Sequence, residues 1–327
     1  MGARVSPSYV ARRILLALLT LWGVSIVVFA LVRALPGDAV VALLADYAYA
    51  RDVEEMRHRL GLDRPIALQY LEWLGGVLSG DLGNSLRSRT PIAAELAGRL
   101  PVTLELGALG MLVGALIAIP IGVLSAVRQH QWSDYLSRGG AIALLAIPSF
   151  WLGTLVVTLP SIWFKWSPPL LYTRFTSDPI KNLSIVIVPA LILGLGLSGT
   201  LMRLTRAQML EVLRQDYVRT ARAKGLAAGA VVVRHALRNA LIPIVTLIGL
   251  QVSILVGGSV VLEQIFVLPG MGRYLLEAIQ YRDYPVIQAL NLLFAGAIIL
   301  SNLVVDLAYG WLDSGASCLT RWRGRLP

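Results

Sequence analysis

Six long runs without Asp, Glu, Lys or Arg constrain this chain more than any other feature: Ile14–Val32, Leu106–Val127, Gly139–Phe164, Leu183–Met202, Asn239–Leu262 and Tyr284–Val305. A helix needs roughly 20 apolar residues to cross the hydrocarbon core of a bilayer, and each run reaches at least 19. Backbone groups in lipid must find their hydrogen bonds internally, so runs of this length suit helices rather than barrel strands. Composition agrees. Of 327 residues, 56% are hydrophobic and 15% charged, against about 45–50% and about 25% in a soluble domain. So much apolar surface cannot be hidden in one soluble core. A disordered chain, a collagen and a coiled coil are also excluded. The expected fold class is all-α: a polytopic membrane protein with six transmembrane helices.

Arg12 and Arg13 precede the first run, as in a secretory signal. Such signals have an apolar core of about 7–15 residues and a small-residue cleavage site. This run has 19 residues, and no convincing small-x-small cleavage site follows it. An uncleaved first span is expected.

Six spans put both termini on one side of the membrane. The formal net charge is +10, and its placement carries more information than its sum. Lys and Arg mark cytoplasmic loops of up to about 60 residues. The 33–101 segment is longer and is left out of the comparison. Sixteen basic residues then lie on the side of the termini and five on the other. Both termini and the 203–238 loop are therefore expected in the cytoplasm. The organisation is a tail at 1–13, a membrane domain at 14–313 and a tail at 314–327. With the charge on cytoplasmic loops, most of the case for a nucleic-acid partner disappears. The single Cys318 cannot form an internal disulfide. His58, His130 and His235 lack metal-ligand spacing.

Two segments outside the spans are distinctive. The 33–101 segment holds eight basic and nine acidic residues and is far longer than an ordinary connection. Helices are expected at Arg51–Leu60 and, after Pro65, at Ile66–Leu78, with a turn at Gly80-Asp81-Leu82-Gly83-Asn84. The segment reads as an external cap. The 203–238 loop has eight basic and two acidic residues. Arg206–Lys224 lacks Gly and Pro and predicts one helix, with Leu210, Leu213, Tyr217 and Ala221 near one face. Gly225 ends it, and Ala230–Leu241 leads into the fifth span as far as Pro243. Helix, elbow and helix form a short knob, offered to a partner or to anionic lipid.

Specific words in this loop decide between those readings. Asp216-Tyr217-Val218-Arg219-Thr220-Ala221-Arg222-Ala223-Lys224-Gly225-Leu226, then His235-Ala236-Leu237-Arg238-Asn239-Ala240 and Pro243, resemble the EAA loop of permease subunits of ATP-binding-cassette importers, in the dipeptide/oligopeptide branch. Leu35-Pro36-Gly37-Asp38, Leu60-Gly61-Leu62-Asp63-Arg64-Pro65, Gln69-Tyr70 and Gly80-Asp81-Leu82-Gly83 agree with it. So do Phe266, Leu268-Pro269-Gly270-Met271-Gly272 and Tyr281-Arg282-Asp283-Tyr284-Pro285. The likeness runs from residue 9 to about 313. Arg219, Thr220 and Ala221 stand where the general motif has Glu-Ala-Ala.

The resemblance implies a type I importer permease fold in a bacterial or archaeal plasma (inner) membrane. This subunit would be the first permease, pairing with a second, homologous permease to enclose one pathway for peptides or similar small solutes. Two ATPase subunits would bind the ATP and Mg and drive it, and an extracytoplasmic binding protein would deliver the solute. Asp216, Tyr217, Arg219, Thr220, Ala221, Arg222, Lys224 and Gly225 would form the coupling contact with an ATPase subunit.

No chemistry of its own is legible in the chain. It has no G-x-x-x-x-G-K-[ST] loop for phosphate. Gly194-Leu195-Gly196 reads as close helix packing. Glu105, Arg203, Glu263 and Asp306 sit at span ends, where snorkelling to water is the cheaper explanation and a role in the pathway the alternative. Gln251, Ser253, Asn291 and Asn302 lie deeper. They either line a water-filled path or tie helices together. A secondary transporter or channel working alone would show paired halves, yet the large external segment and the basic elbow each occur once. An intramembrane enzyme needs a nucleophile or paired carboxylates inside its spans, and the span interiors contain no acids.

Overall fold

The computed structural model describes residues 7–34, 58, 63–169 and 171–312, apart from the side chains of 7, 253–256, 258 and 308–312. In chain order its helices are α1 (Pro7–Ala34), α2 (Ile66–Ser79), α3 (Ile92–Val127), α4 (Trp132–Ala146), α5 (Ser149–Phe164), α6 (Pro179–Leu213), α7 (Asp216–Ala223), α8 (Ala228–Leu250), α9 (Val252–Ile265), α10 (Met271–Gln280) and α11 (Tyr284–Leu312). Among the described residues the only extended pairing is an isolated bridge between Asn84 and Pro91. The expected helix Arg51–Leu60, the Leu35-Pro36-Gly37-Asp38 motif and the tail 314–327 lie outside the described residues.

Among the described residues five helices are long and apolar enough to span: Ser8–Ala34, Ile92–Val127, Pro179–Leu213, Ala228–Leu250 and Tyr284–Leu307. The third apolar run is not one rod. It divides into α4 and α5, bent by 86°. Ile147 is extended, at φ −87 and ψ 116, because a residue before proline is pushed out of the helical region. Pro148 then opens α5. Prolines 101, 120, 160, 189 and 243 sit inside helices without ending them. The fifth run divides too, at Gln251 between α8 and α9.

The chain forms two compact units, Met1–Leu100 with Tyr274–Pro327, and Pro101–Arg273. In the first, α1 packs along α11. Arg13 pairs with Asp306 at 2.5 Å, and the Tyr9 hydroxyl donates to the Asp306 carbonyl. The start of α1 thus meets the end of α11, so the two helices run antiparallel. If both span, their outer ends share a side. α2 crosses the second half of α1. Ser25 and Tyr70 hydroxyls meet at 2.9 Å, Arg33 donates to Gln69 Oε1, and Phe29 packs on Tyr70 and Trp73. The observed α2 is within one residue of the expected Ile66–Leu78.

In the second unit α6 is central, packed by α4, α5, α8 and α9. It meets α3 along a seam of small residues. A Cβ on Gly194 would stand 2.6 Å from Val113 Cγ1 and 2.7 Å from the Gly110 carbonyl oxygen, and one on Gly122 would meet Thr205. Small residues let membrane helices approach this closely. Gly194 therefore fits the close-packing expectation, whereas Gly196 faces open space. Contacts advance together along α3 and α6, from Gly110 against Leu193 to Gly122 against Thr205, so the two helices are parallel. Parallel spans need an odd number of crossings between them. If both span, bent α4–α5 counts as one crossing, which brings the spans among the described residues to six. The main buried apolar group of this unit gathers Val102, Leu106, Val186, Leu193, Leu262 and Phe266.

Helices also overrun the apolar runs. α3 starts at Ile92, inside the segment expected as cap, and α6 extends from Pro179 to Leu213.

Candidate functional site

The 203–238 loop folds as a knob with a break that its sequence does not signal. Arg206–Lys224 is not one helix. α6 ends at Leu213, Gln215 is extended at φ −71 and ψ 149, and α7 starts at Asp216. Asp216 lies in the first turn and Arg222 in the last, each at the end whose partial charge it complements.

The far end of α7 closes in a Schellman motif. Gly225 N–H donates to the Arg222 carbonyl at 3.0 Å and Leu226 N–H to the Ala221 carbonyl at 3.4 Å. Gly225 adopts φ +78, a conformation that side chains resist and glycine accepts. The chain then enters α8 through Ala228–Ala230 and a π-helical stretch, Val231–Leu237. This second helix begins two residues before the expected Ala230 and passes Pro243 to reach Leu250.

The apolar face of α7 differs from the expected one. Val218 and Ala221 are buried with Val231, and Leu213 packs on them. Ala221 is thus engaged inside its own chain. Tyr217 is 42% exposed, and its hydroxyl accepts from Asn239 Nδ2 at 2.7 Å. Asp216, Arg219, Thr220, Arg222, Lys224 and Gly225 are exposed. Arg219 reaches Asp216 at 3.6 Å. The knob is therefore held from within by Val218, Ala221 and Val231. It presents three cations, an aromatic ring and Leu226 outward.

A polar anchor in the same unit, absent from the sequence reading, fixes α6 before it enters the knob. Asp134, with no exposed side-chain surface, receives Arg206 Nε at 2.8 Å and Arg206 Nη2 at 2.9 Å. Ser125 Oγ donates to the same carboxylate at 2.6 Å and His130 N–H at 3.1 Å. This bidentate, four-donor arrangement holds α6 against the turn between α3 and α4. Asp134 is the single acid among the basic residues of 128–138, and that was the available signal.

The charges at span ends divide into different environments. Arg203 is exposed and Asp306 pairs with Arg13. Glu105 accepts from the Tyr172 hydroxyl at 2.9 Å; burial, then Glu105, pushes that phenol up to about 12. Glu263 corrects the snorkelling expectation, for it has no exposed surface. Thr103 Oγ1 donates to it at 2.8 Å and Arg273 N–H at 3.0 Å. Met271 N–H in turn donates to Thr103 Oγ1. The carboxylate thus sits at the start of α10, where free N–H groups favour an anion. A Cβ on Gly270 would overlap the carboxylate, and one on Gly272 would stand 2.5 Å from Val260 Cα. The Leu268-Pro269-Gly270-Met271-Gly272 motif leaves room for this buried acid.

The deeper polar residues have different surroundings within their own units. Gln251 is buried at the break between α8 and α9. Asn291 donates to the Ile287 carbonyl of its own helix at 2.8 Å and does not bridge helices through that bond. Asn302 is exposed. The Ser253 side chain lies outside the described residues.

Comparison with known proteins follows this geometry. A family model described as "Binding-protein-dependent transport system inner membrane component" matches residues 118–317. Its N-terminal counterpart matches residues 7–107. The chain is 39% identical over 330 residues to the dipeptide transport system permease protein DppB of Escherichia coli (strain K12), covering 92% of this chain and 96% of that one. It is 40% identical over 306 residues to the glutathione transport system permease protein GsiC of the same strain, covering 94% and 97%. The crystal structure of an amino acid ABC transporter with histidines overlaps 72% of this chain and 96% of its own, with a TM-score of 0.48 and 15% identity. From its apolar helices, the two family models and the permease relatives, the chain belongs to the family of inner membrane components of binding-protein-dependent transport systems, and it is a multi-pass permease subunit.

Proposed function

We propose that this permease forms half of an import pathway for di- or oligopeptides or similar small solutes such as glutathione. A second, homologous permease supplies the other half. Two ATPase subunits bind ATP and Mg and power the cycle, and an extracytoplasmic binding protein delivers the solute. The chain itself holds no nucleotide. The relatives named for dipeptide and glutathione transport support this substrate class. The antiparallel α1–α11 pair, with Arg13 on Asp306, supports termini on one side, and the basic asymmetry supports the cytoplasm as that side. Asn291, Asn302, Gln251 and Ser253 remain the proposed pathway residues.

The observation that carries the coupling role is the knob closed at Gly225. A short helix braced by Val218, Ala221 and Val231 offers Tyr217, Arg219, Arg222, Lys224 and Leu226 as a preformed surface. Asp216 and Thr220 flank it. An apolar rim with cations suits a groove edged by acidic groups on an ATPase subunit. Closure of the ATPase pair would move the knob, and with it α6 and α8.

The test is Gly225→Val in the assembled importer. A β-branched residue resists φ +78, so the knob should be misaimed while insertion into the membrane is kept. The expected result is loss of ATPase attachment or of solute-stimulated ATP hydrolysis. Replacing any one exposed arginine should do less, because surface ion pairs contribute about 0–1 kcal/mol. Wild-type transport by Gly225→Val would instead leave the loop as a lipid-facing cluster of charge.

A further inference from the structure

Helix α2 carries two apolar stripes, and among the described residues only one of them is covered. Tyr70, Trp73 and Val77, spaced i, i+3 and i+7, belong to the stripe that turns to α1: Tyr70 and Trp73 pack on Phe29. Ala67, Leu71, Leu74 and Leu78, spaced i, i+4, i+7 and i+11, form the second, about a quarter-turn around the helix. Leu71 is 61% exposed and Leu78 80% exposed. The polar side lies beyond, where Glu72 pairs with Arg64 at 2.6 Å. No residue of α2 is buried.

The depth of α2 along α1 identifies the solvent that meets the open stripe. The apolar run of α1 ends at Val32. Ser25, which meets the Tyr70 hydroxyl at 2.9 Å, lies seven residues inside that end. Seven helical residues measure about 10 Å, the depth to which an interfacial helix buries its apolar face, about 5–10 Å. Tyr and Trp are the residues that collect at this level. On the same stretch of α1, Val27 and Leu31 are exposed, and they belong to a span. α2 therefore lies at the level of a surface that a bilayer already has to cover.

We propose that α2 lies in the membrane interface with Ala67, Leu71, Leu74 and Leu78 against lipid acyl chains. It does not stand in water as part of an external cap. The occupant is lipid rather than a protein because α2 meets α1 at hydrocarbon depth and its open stripe carries no polar group. Arg64, Glu72 and Ser79 stay at the headgroups. The helix then anchors the outer end of α1 and fixes where the 80–91 loop leaves the membrane.

The test uses single spin labels at Leu71→Cys, Leu78→Cys and Glu72→Cys, with Cys318→Ser, in the full importer. The importer is reconstituted in vesicles of phosphatidylethanolamine and phosphatidylglycerol, and uptake confirms assembly. Collision with oxygen, which concentrates in lipid, is compared with collision with a water-soluble nickel chelate. The expected oxygen-to-nickel ratio is several-fold higher at 71 and 78 than at 72. Equal ratios at the three sites would overturn the proposal in favour of a water-exposed cap. Low collision with both reagents at 71 and 78 would overturn it in favour of a covering protein subunit.

Discussion

Asp134→Ala should be among the most damaging single changes in this chain. The substitution removes an acceptor of four hydrogen bonds, two from Arg206 and one each from Ser125 and His130. The guanidinium left behind has 21% side-chain exposure, so water relieves only part of its charge. Removing one partner of a buried pair destabilises by about 3–5 kcal/mol, and the remaining exposure of Arg206 places the expected loss near the lower end. Each kcal/mol shifts the midpoint of a domain of this unit's size by about 2–4 °C, so the apparent midpoint should fall by roughly 6–12 °C. The assay is tryptophan-fluorescence melting of the detergent-solubilised importer at one fixed scan rate, since unfolding of such assemblies is commonly irreversible. Arg206→Ala and the double variant complete a cycle. The double variant should be less damaged than the sum of the two single variants by more than about 1 kcal/mol. Asp134→Leu with Arg206→Met, which replaces the pair by apolar groups, should recover most of the loss. Additive single effects, within about 0.5 kcal/mol, would refute the claim that this pair holds α6 in place.

Three further outcomes are expected. Gly194→Val should lower assembled yield, because its Cβ meets Val113 and the Gly110 carbonyl, and overpacking of this kind costs about 1–3 kcal/mol; Gly196→Val should leave yield near wild type. Tyr172→Phe should lower the melting midpoint at neutral pH by leaving Glu105 without its hydroxyl donor. The phenol is raised from its ordinary 10 to about 12, so its stabilising contribution is complete below about pH 10 and disappears between 10 and 12; the wild type should lose stability across that window more steeply than Tyr172→Phe. Single cysteines at positions 130 and 225 should resist a membrane-impermeant reagent applied outside sealed cells, whereas one at 175 should react; external labelling at 225 would reverse the proposed orientation.

Much of the fold was legible because lipid imposes a simple requirement, an uncharged run long enough to cross. That requirement located the spans but not their breaks. Five prolines remain inside helices, and Pro148 does not, so the residue type alone does not place a bend. The knob was legible from its wording and from Gly225. Its buried face was not. The expected face extended the period of Leu210 and Leu213 through Tyr217 to Ala221, but the extended Gln215 resets the phase, and Val218 becomes the buried residue. Glu263 and Asp134 were harder still. Their partners Thr103 and Arg206 lie 160 and 72 residues away, and no local pattern signals a carboxylate satisfied at such distance. Glu263 at the edge of an apolar run therefore read as a snorkelling charge.

The unbroken length of α6 has a mechanical consequence. Its 35 residues make a rod of about 50 Å that starts at Pro179 and ends where the knob begins. A hydrogen-bonded helix does not stretch, so displacing its Leu213 end sideways by about 5 Å amounts to a rotation of roughly 6° about its far end. The Gly110, Gly114 and Gly122 seam rules out sliding of α3 past α6, since backbones this close interlock. The two helices must turn as one lever, and the same angle sweeps a smaller arc at each level further from the knob. Movement at the Gly194 level is therefore under half of that at Leu213, set by position along the rod rather than by local softness.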